Sequence, residues 1–376
     1  MQPTNTLTQQ TNFASLHFDG IQVLRGLAAL LIICEHIRFL NCGAFGVDIF
    51  FIISGFMIMF TTQKNTKYFL RKRLIRILPF YDLMTILTFL LLLLFPSMFR
   101  ESGADISQLI KSLLFIPFDI GDSVYQPILR IGWTINCEMF FYVLFAVCSK
   151  LSHKYRGLLT GLLILFVFVL NTVLDAFGYT NPFLQFYGAA VMLDFILGIL
   201  CFYTVKAIFC KTKVCKSEIC SAKNSESKVS ETKQKRPMGA NRPAGDLALS
   251  MLMLSFVLIV ILMLTKQTTN ILGFRRFFYW GIPSFFIVFS FCLAGLCFPM
   301  PKPLVQLGNI SFSVYLLHYY PILFIDRKLC DLGSFGLRPT LFALAGTALI
   351  LAASYLAWYL IEVRFSAFLK KHLLPR

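Results

Sequence analysis

The strongest constraint on this chain is a series of ten apolar stretches, at residues 21–40, 46–61, 80–97, 132–148, 157–174, 183–205, 247–264, 278–298, 308–325 and 341–361. Charges, proline or glycine bound each one, and most are long enough to cross the roughly 30 Å hydrocarbon core of a bilayer as a helix. Backbone in lipid must satisfy its own hydrogen bonds, and these runs lack the period-two alternation of barrel strands. The expected fold is an all-α integral membrane protein, a bundle of about ten transmembrane helices. Composition agrees. Of 376 residues, 57% are hydrophobic and 14% charged, whereas a soluble domain needs about a quarter charged residues to cover its surface. The apolar content equally excludes a disordered chain.

Charge placement predicts orientation. With the amino terminus inside, the inner segments carry 24 Lys and Arg and the outer ones 9, so both termini are expected in the cytoplasm. The net charge of +17 then suits the anionic inner face of the cell's inner (plasma) membrane rather than nucleic acid. The chain divides into a cytoplasmic tail 1–20, spans one to six over 21–205, a Lys/Ser-rich loop 206–246 expected to be disordered and cytoplasmic, spans seven to ten over 247–361, and a cytoplasmic tail 362–376. Met1 to Asp19 lacks the pattern of a cleaved signal peptide. Cys210, Cys215 and Cys220 recur every five residues with no histidine nearby. That spacing matches no common zinc pattern, and no metal site is expected.

Polar residues inside apolar stretches are where chemistry is to be sought. Arg25 and His36 are eleven residues apart in the first stretch. Eleven residues make three helical turns plus about 20°, so both share one face, about 16 Å apart along the axis. Arginine can fork onto a phosphate and a neutral buried histidine can take a proton. A snorkelling arginine with a structural histidine is the alternative. Asp48, at the start of the second stretch, could pair with a cation across the bundle or cap its helix. Ser54-Gly55 suits close helix packing better than nucleophilic catalysis. Arg71, Lys72, Arg73 and Arg76 follow, with Pro79 expected to start the third span. Arg73 and Arg76, three apart, are neighbours on one helical face, although the cluster could equally be an orientation signal.

In this order the pieces resemble the acyltransferase-3 family of integral-membrane O-acyltransferases, which modify bacterial cell-surface glycans. The resemblance rests on Arg25-x10-His36, on Gly46-Val47-Asp48-x-Phe50-Phe51-x-Ile53-Ser54-Gly55-Phe56, and on Phe69-Leu70-Arg71-Lys72-Arg73-x-x-Arg76-Ile77-x-Pro79. Weaker blocks are Trp133-Thr134-x-x-x-Glu138-x-x-Phe141-Tyr142 and Gly308-Asn309-Ile310-Ser311-Phe312-Ser313-x-Tyr315-Leu316-x-His318. Phe312 stands where the family usually has tyrosine, and Glu35 adds an acid beside His36, though 100° around the helix.

The resemblance implies transfer of an acyl group, most simply acetyl, from acyl-CoA to a hydroxyl of an envelope carbohydrate: lipopolysaccharide O-antigen, exopolysaccharide or a related glycan, free or lipid-linked. His36 would be the base or acyl relay, with Glu138 and Asp48 beside it in catalysis. Glu138 is costly in lipid unless paired, and could orient His36 or meet an arginine. Arg25 would hold the donor or orient its thioester, Arg73 and Arg76 would meet the donor's phosphates, and His318 would contribute to substrate binding. Acyl-CoA is a donor substrate, so no tightly bound cofactor is expected; the partners are acyl-CoA, the glycan and membrane lipid. The rival is a glycan or acyl transporter without chemistry of its own. Many transporters show two related halves, whereas here the polar motifs concentrate in the first 140 residues.

Overall fold

The computed structural model describes residues 13–95, 105–119, 125–223, 242–265 and 273–374. Its helices, in chain order, are α1 (Asp19–His36), α2 (Gly46–Thr61), α3 (Phe69–Leu94), α4 (Ile106–Leu113), α5 (Trp133–Leu151), α6 (Arg156–Ala176), α7 (Pro182–Tyr187) and α8 (Leu193–Lys223). They continue with α9 (Arg242–Thr265), α10 (Phe274–Arg276), α11 (Ile282–Cys297), α12 (Lys302–Asn309), α13 (Ser311–Leu317), α14 (Tyr319–Phe324), α15 (Leu337–Ala357) and α16 (Ser366–Leu373). Among the described residues there is no strand, only an isolated bridge between Asp119 and Tyr125. Among the described residues, seven helical segments are long and apolar enough to cross a membrane: Phe69–Leu94, Arg130–Leu151, Arg156–Ala176, Ala190–Cys210, Gly245–Thr265, Phe274–Cys297 and Leu337–Leu373. The all-α membrane bundle expected from hydropathy is the observed architecture.

The apolar but shorter α2 sits at the centre, packed against α1, α5, α8 and α11. Lipid tails are as apolar as leucine, so helices in a bilayer associate through close backbone approach rather than hydrophobic drive. Gly55 of α2 faces Gly198 of α8, and a Cβ on Gly198 would come 2.2 Å from the Ile52 carbonyl oxygen. Gly55 therefore packs, while its neighbour Ser54 turns towards α5. We expect Gly198→Leu to separate the two helices, at about 1–3 kcal/mol or more. Thermal unfolding in detergent should fall accordingly, whereas Gly161→Ala, whose Cβ would find only the Ile196 side chain at 3.8 Å, should leave it unchanged. The outer helices α6, α9 and α15 turn Leu162, Phe166, Val257, Ile261, Leu344 and Leu349 outward as the lipid face.

Three boundaries differ from those expected. α3 begins at Phe69, so Arg71 to Arg76 form its first turns and Pro79 lies inside it. Proline cannot donate to the carbonyl four residues back; Ser366 Oγ of α16 takes over, donating to the Ile75 oxygen at 3.2 Å. The loop 206–246 begins as helix, because α8 continues to Lys223; lysine and alanine are good helix formers even where lipid burial ends. Residues 224–241 of that expected disordered loop lie outside the described residues. The ninth stretch is interrupted into α13 and α14, with His318 at the junction.

Candidate active site

Two cavities lie end to end in the bundle. One, of about 160 Å³, is lined among others by Arg25, Ser54, Arg73, Arg76, Glu138 and Tyr142. The other, of about 640 Å³, is lined among others by Glu35, His36, Arg38, Arg130, Tyr319 and Asp326. Helix order explains the division. Arg25 and Thr61 mark one end of α1 and α2, His36 and Phe45 the other, and α5 runs from Trp133 at the histidine end to Tyr142 at the arginine end. Arg25 and His36 thus share a helix face, as their spacing predicts, but each opens into its own cavity.

In the arginine cavity, Glu138 accepts from Ser54 Oγ at 2.7 Å and from the Tyr142 hydroxyl. A carboxylate in a membrane protein needs such partners, and it finds them here rather than at His36. Arg73 donates to Thr61 Oγ1 at 3.3 Å and lies 5.3 Å over the Tyr142 ring. Arg25 lies within electrostatic reach of Arg76, Glu362 and Glu138. Glu362, which hydropathy places in the carboxy-terminal tail, belongs to this group; it accepts from Ser313 Oγ at 2.5 Å. Its signal in the sequence is an acid inside the apolar run Tyr359-Leu360-Ile361-Glu362-Val363. A further cavity of about 640 Å³, lined by His17, Gln22, Lys64 and Asn309, adjoins this one through Met57 and Thr61.

His36 lines the other cavity, and the fully buried His318 meets it from behind. His318 Nδ1 is 2.6 Å from the Tyr315 carbonyl oxygen, and its Nε2 is 3.3 Å from His36 Nδ1. His36 Nδ1 is also 2.9 Å from the Ile32 oxygen. A carbonyl oxygen can only accept, so each Nδ1 carries the proton in the neutral rings. His318 Nδ1–H therefore donates to Tyr315, leaving Nε2 to accept from His36 Nδ1–H. This leaves His36 Nε2 with its lone pair and without a protein partner among the described residues. His318 thus holds the His36 Nδ1–H, one of the two parts, orienting His36 or meeting an arginine, that the sequence leaves open for Glu138. Glu35 turns away: its Oε2 accepts from the Gly43 and Ala44 amides at 2.7 and 3.0 Å, holding the loop into α2. Arg38 pairs with Asp326 at 2.9 Å and with Asp331.

Asp48, expected beside the base, lines neither cavity. Its Oδ2 is 2.6 Å from Arg276 Nη2 and its Oδ1 3.1 Å from Arg276 Nε. Both side chains are buried, at 0% and 2% exposure. Arg276 also lies 4.5 Å over the Trp280 ring, and the buried Asp194 adjoins the pair. Asp48 is therefore spent in a structural ion pair across the bundle. Its partner, 228 residues away, carries no signal in the sequence near α2.

The protein is thus an all-helical membrane bundle with two adjoining cavities, one bearing Arg25, Arg73 and Arg76 and the other His36 together with Arg38, Arg130, Arg276 and Arg327. The chain belongs to the acyltransferase-3 family: residues 18–359 match its acyltransferase domain. Over 165 residues it is 30% identical to the exopolysaccharide production protein ExoZ of Rhizobium meliloti (strain 1021), covering 42% of this chain and 50% of that one. Over 350 residues it is 25% identical to the putative peptidoglycan O-acetyltransferase YrhL of Bacillus subtilis (strain 168), covering 85% and 50%. The chain spans about half the length of these curated relatives. No solved structure matches it.

Proposed function

We propose that this protein transfers an acyl group, most simply acetyl, from cytoplasmic acyl-CoA to a hydroxyl of a cell-envelope glycan, with His36 as the base. The observation that carries the reading is the hydrogen-bond pattern that leaves His36 Nε2 free in a cavity adjoining the one that bears Arg25, Arg73 and Arg76. The acceptor hydroxyl gives its proton to Nε2 while its oxygen attacks the thioester carbonyl, forming the ester C–O bond as the C–S bond breaks. The leaving thiolate takes the proton back from the imidazolium. His318 Nε2 holds the His36 Nδ1–H throughout, stabilising the charged ring.

The excess of Lys and Arg supports an orientation with both termini inside and with the cavity of Arg25, Arg73 and Arg76 at the cytoplasmic side of an inner membrane. Arg73 and Arg76 would take the donor's phosphates there, and Arg25, deeper, its thioester arm. The nucleotide end would extend into the adjoining cavity beside His17 and Lys64. The glycan, free or lipid-linked, would enter the larger cavity from the other side. Exopolysaccharide and peptidoglycan, the glycans in the relatives' names, are the acceptor classes to try first.

Each arginine–phosphate contact stabilises by roughly 1.5–3 kcal/mol. Arg73→Ala with Arg76→Ala should therefore weaken acyl-CoA binding about a hundredfold or more, at about 1.4 kcal/mol per tenfold. Lys72, exposed and outside the cavity, should matter little when replaced by alanine. The check is acyl-CoA affinity of purified, correctly inserted variants, with mass analysis of envelope glycans made with and without the protein. Unchanged affinity in the double variant would move the donor site elsewhere, and glycans identical in both strains would overturn the reading.

A further inference from the structure

The two cavities adjoin, and two residues, Val47 and Tyr315, line both. Tyr315 stands between them on α13, only 8% exposed. Its hydroxyl donates to the Ile131 carbonyl at 2.7 Å and lies 2.7 Å from Thr134 Oγ1. Thr134 Oγ1 is also 3.2 Å from the Ile131 carbonyl oxygen, so the two hydroxyls and that carbonyl form one hydrogen-bonded triangle. The ring packs edge-on to Phe50 at 6.3 Å and tilted against His318 at 5.7 Å. Two hydrogen bonds, both at one end of the side chain, hold the ring across the bundle from α13 to α5. Each such bond is worth only about 0.5–1.5 kcal/mol net, a barrier that a side-chain rotation can cross.

We propose that Tyr315 is a removable partition: seated on Ile131 and Thr134 it separates the arginine cavity from the His36 cavity, and swung aside it joins them into one passage. What would pass is the thioester arm of the donor, and that part rests on the function proposed above; the partition itself does not. Arg25 and His36 are about 16 Å apart along α1, so a thioester held near Arg25 cannot meet His36 while the partition is seated. His318 ties the two devices together, since its Nδ1 donates to the carbonyl of Tyr315 itself, one turn before the break between α13 and α14.

Thiol labelling tests this without any substrate. Ser54→Cys puts a reporter thiol in the arginine cavity, and Met57→Cys, on the same wall, serves if the first folds poorly. Full-length protein in sealed, oriented vesicles is treated from one face with the membrane-impermeant anion sulfonatoethyl methanethiosulfonate, and modified peptides are identified by mass. Native Cys42, which lines the His36 cavity, is the control for access and folding at that end. With Tyr315 intact the reporter should react from the arginine face only. With Tyr315→Ala it should also react from the His36 face, at least tenfold faster than in the parent, while Cys42 reacts as before. Tyr315→Phe, which keeps the ring but not its two bonds, should give a smaller increase. Labelling from the His36 face with Tyr315 intact would overturn the proposal, as would no gain in Tyr315→Ala with Cys42 reacting normally. Neither result bears on whether His36 is the base, which acyl transfer by His36 variants decides separately.

Discussion

His36→Ala is expected to reduce acyl transfer by about two to four orders of magnitude, the usual contribution of a positioned general base. Nε2 of His36 is the atom that two fixed hydrogen bonds leave open, and alanine removes it without touching the arginine cavity. Donor affinity should therefore stay as in the parent while turnover falls. His318→Ala keeps the base but removes its orienting acceptor, so turnover should fall less, with KM for the donor unchanged. Glu35→Gln should have the smallest effect on the chemistry, since Glu35 binds the Gly43 and Ala44 amides instead of the imidazole. Transfer measured per correctly inserted molecule ranks the three, and full turnover by well-inserted His36→Ala would remove His36 from the mechanism.

The second large effect concerns stability. Arg276→Ala would leave the buried Asp48 and Asp194 carboxyls without their cation, and breaking a buried pair from one side costs about 3–5 kcal/mol. Unfolding temperature in detergent should drop by several degrees, or the protein should fail to accumulate in the membrane. Removing all the charges together, as Asp48→Leu with Arg276→Leu and Asp194→Asn, should cost much less than Arg276→Ala alone, because no uncompensated charge remains in the bundle. A catalytic Asp48 predicts the opposite order: normal stability and lost turnover in the single variants. An Arg276→Ala protein with parental stability would mean that the pair contributes nothing to the fold.

What is legible in the sequence follows from what a helix does locally. Ten apolar stretches bounded by charge determine an all-helical membrane bundle, because lipid leaves the backbone no other way to bond. Spacing along one helix determines a shared face, so periodicity alone groups Arg25 with His36, and Arg73 with Arg76. The order of the motifs carries the family, which the match over residues 18–359 bears out. Even inside one helix local rules have a limit. Pro79 looks like a helix start because its missing amide is harmless there, and in the middle of α3 the Ile75 carbonyl it leaves bare is met by the Ser366 hydroxyl, 291 residues from Ile75.

Contacts between helices were decided by the tertiary structure alone. Hydropathy and periodicity say which face a residue occupies but not which neighbour meets it. Glu138, Asp48 and His318 are each recognisable as polar groups in apolar surroundings. Packing assigned Glu138 to Ser54 and Tyr142, Asp48 to Arg276, and His318 to His36. Close backbone approach at Gly55 and Gly198 fixes how α2 and α8 touch, a contact between residues far apart in the chain. The sequence by itself determined the kind of fold and the list of polar residues. Only the packed bundle decided which of them face each other, because each partnership spans helices whose relative position is fixed by many small contacts summed over their whole length.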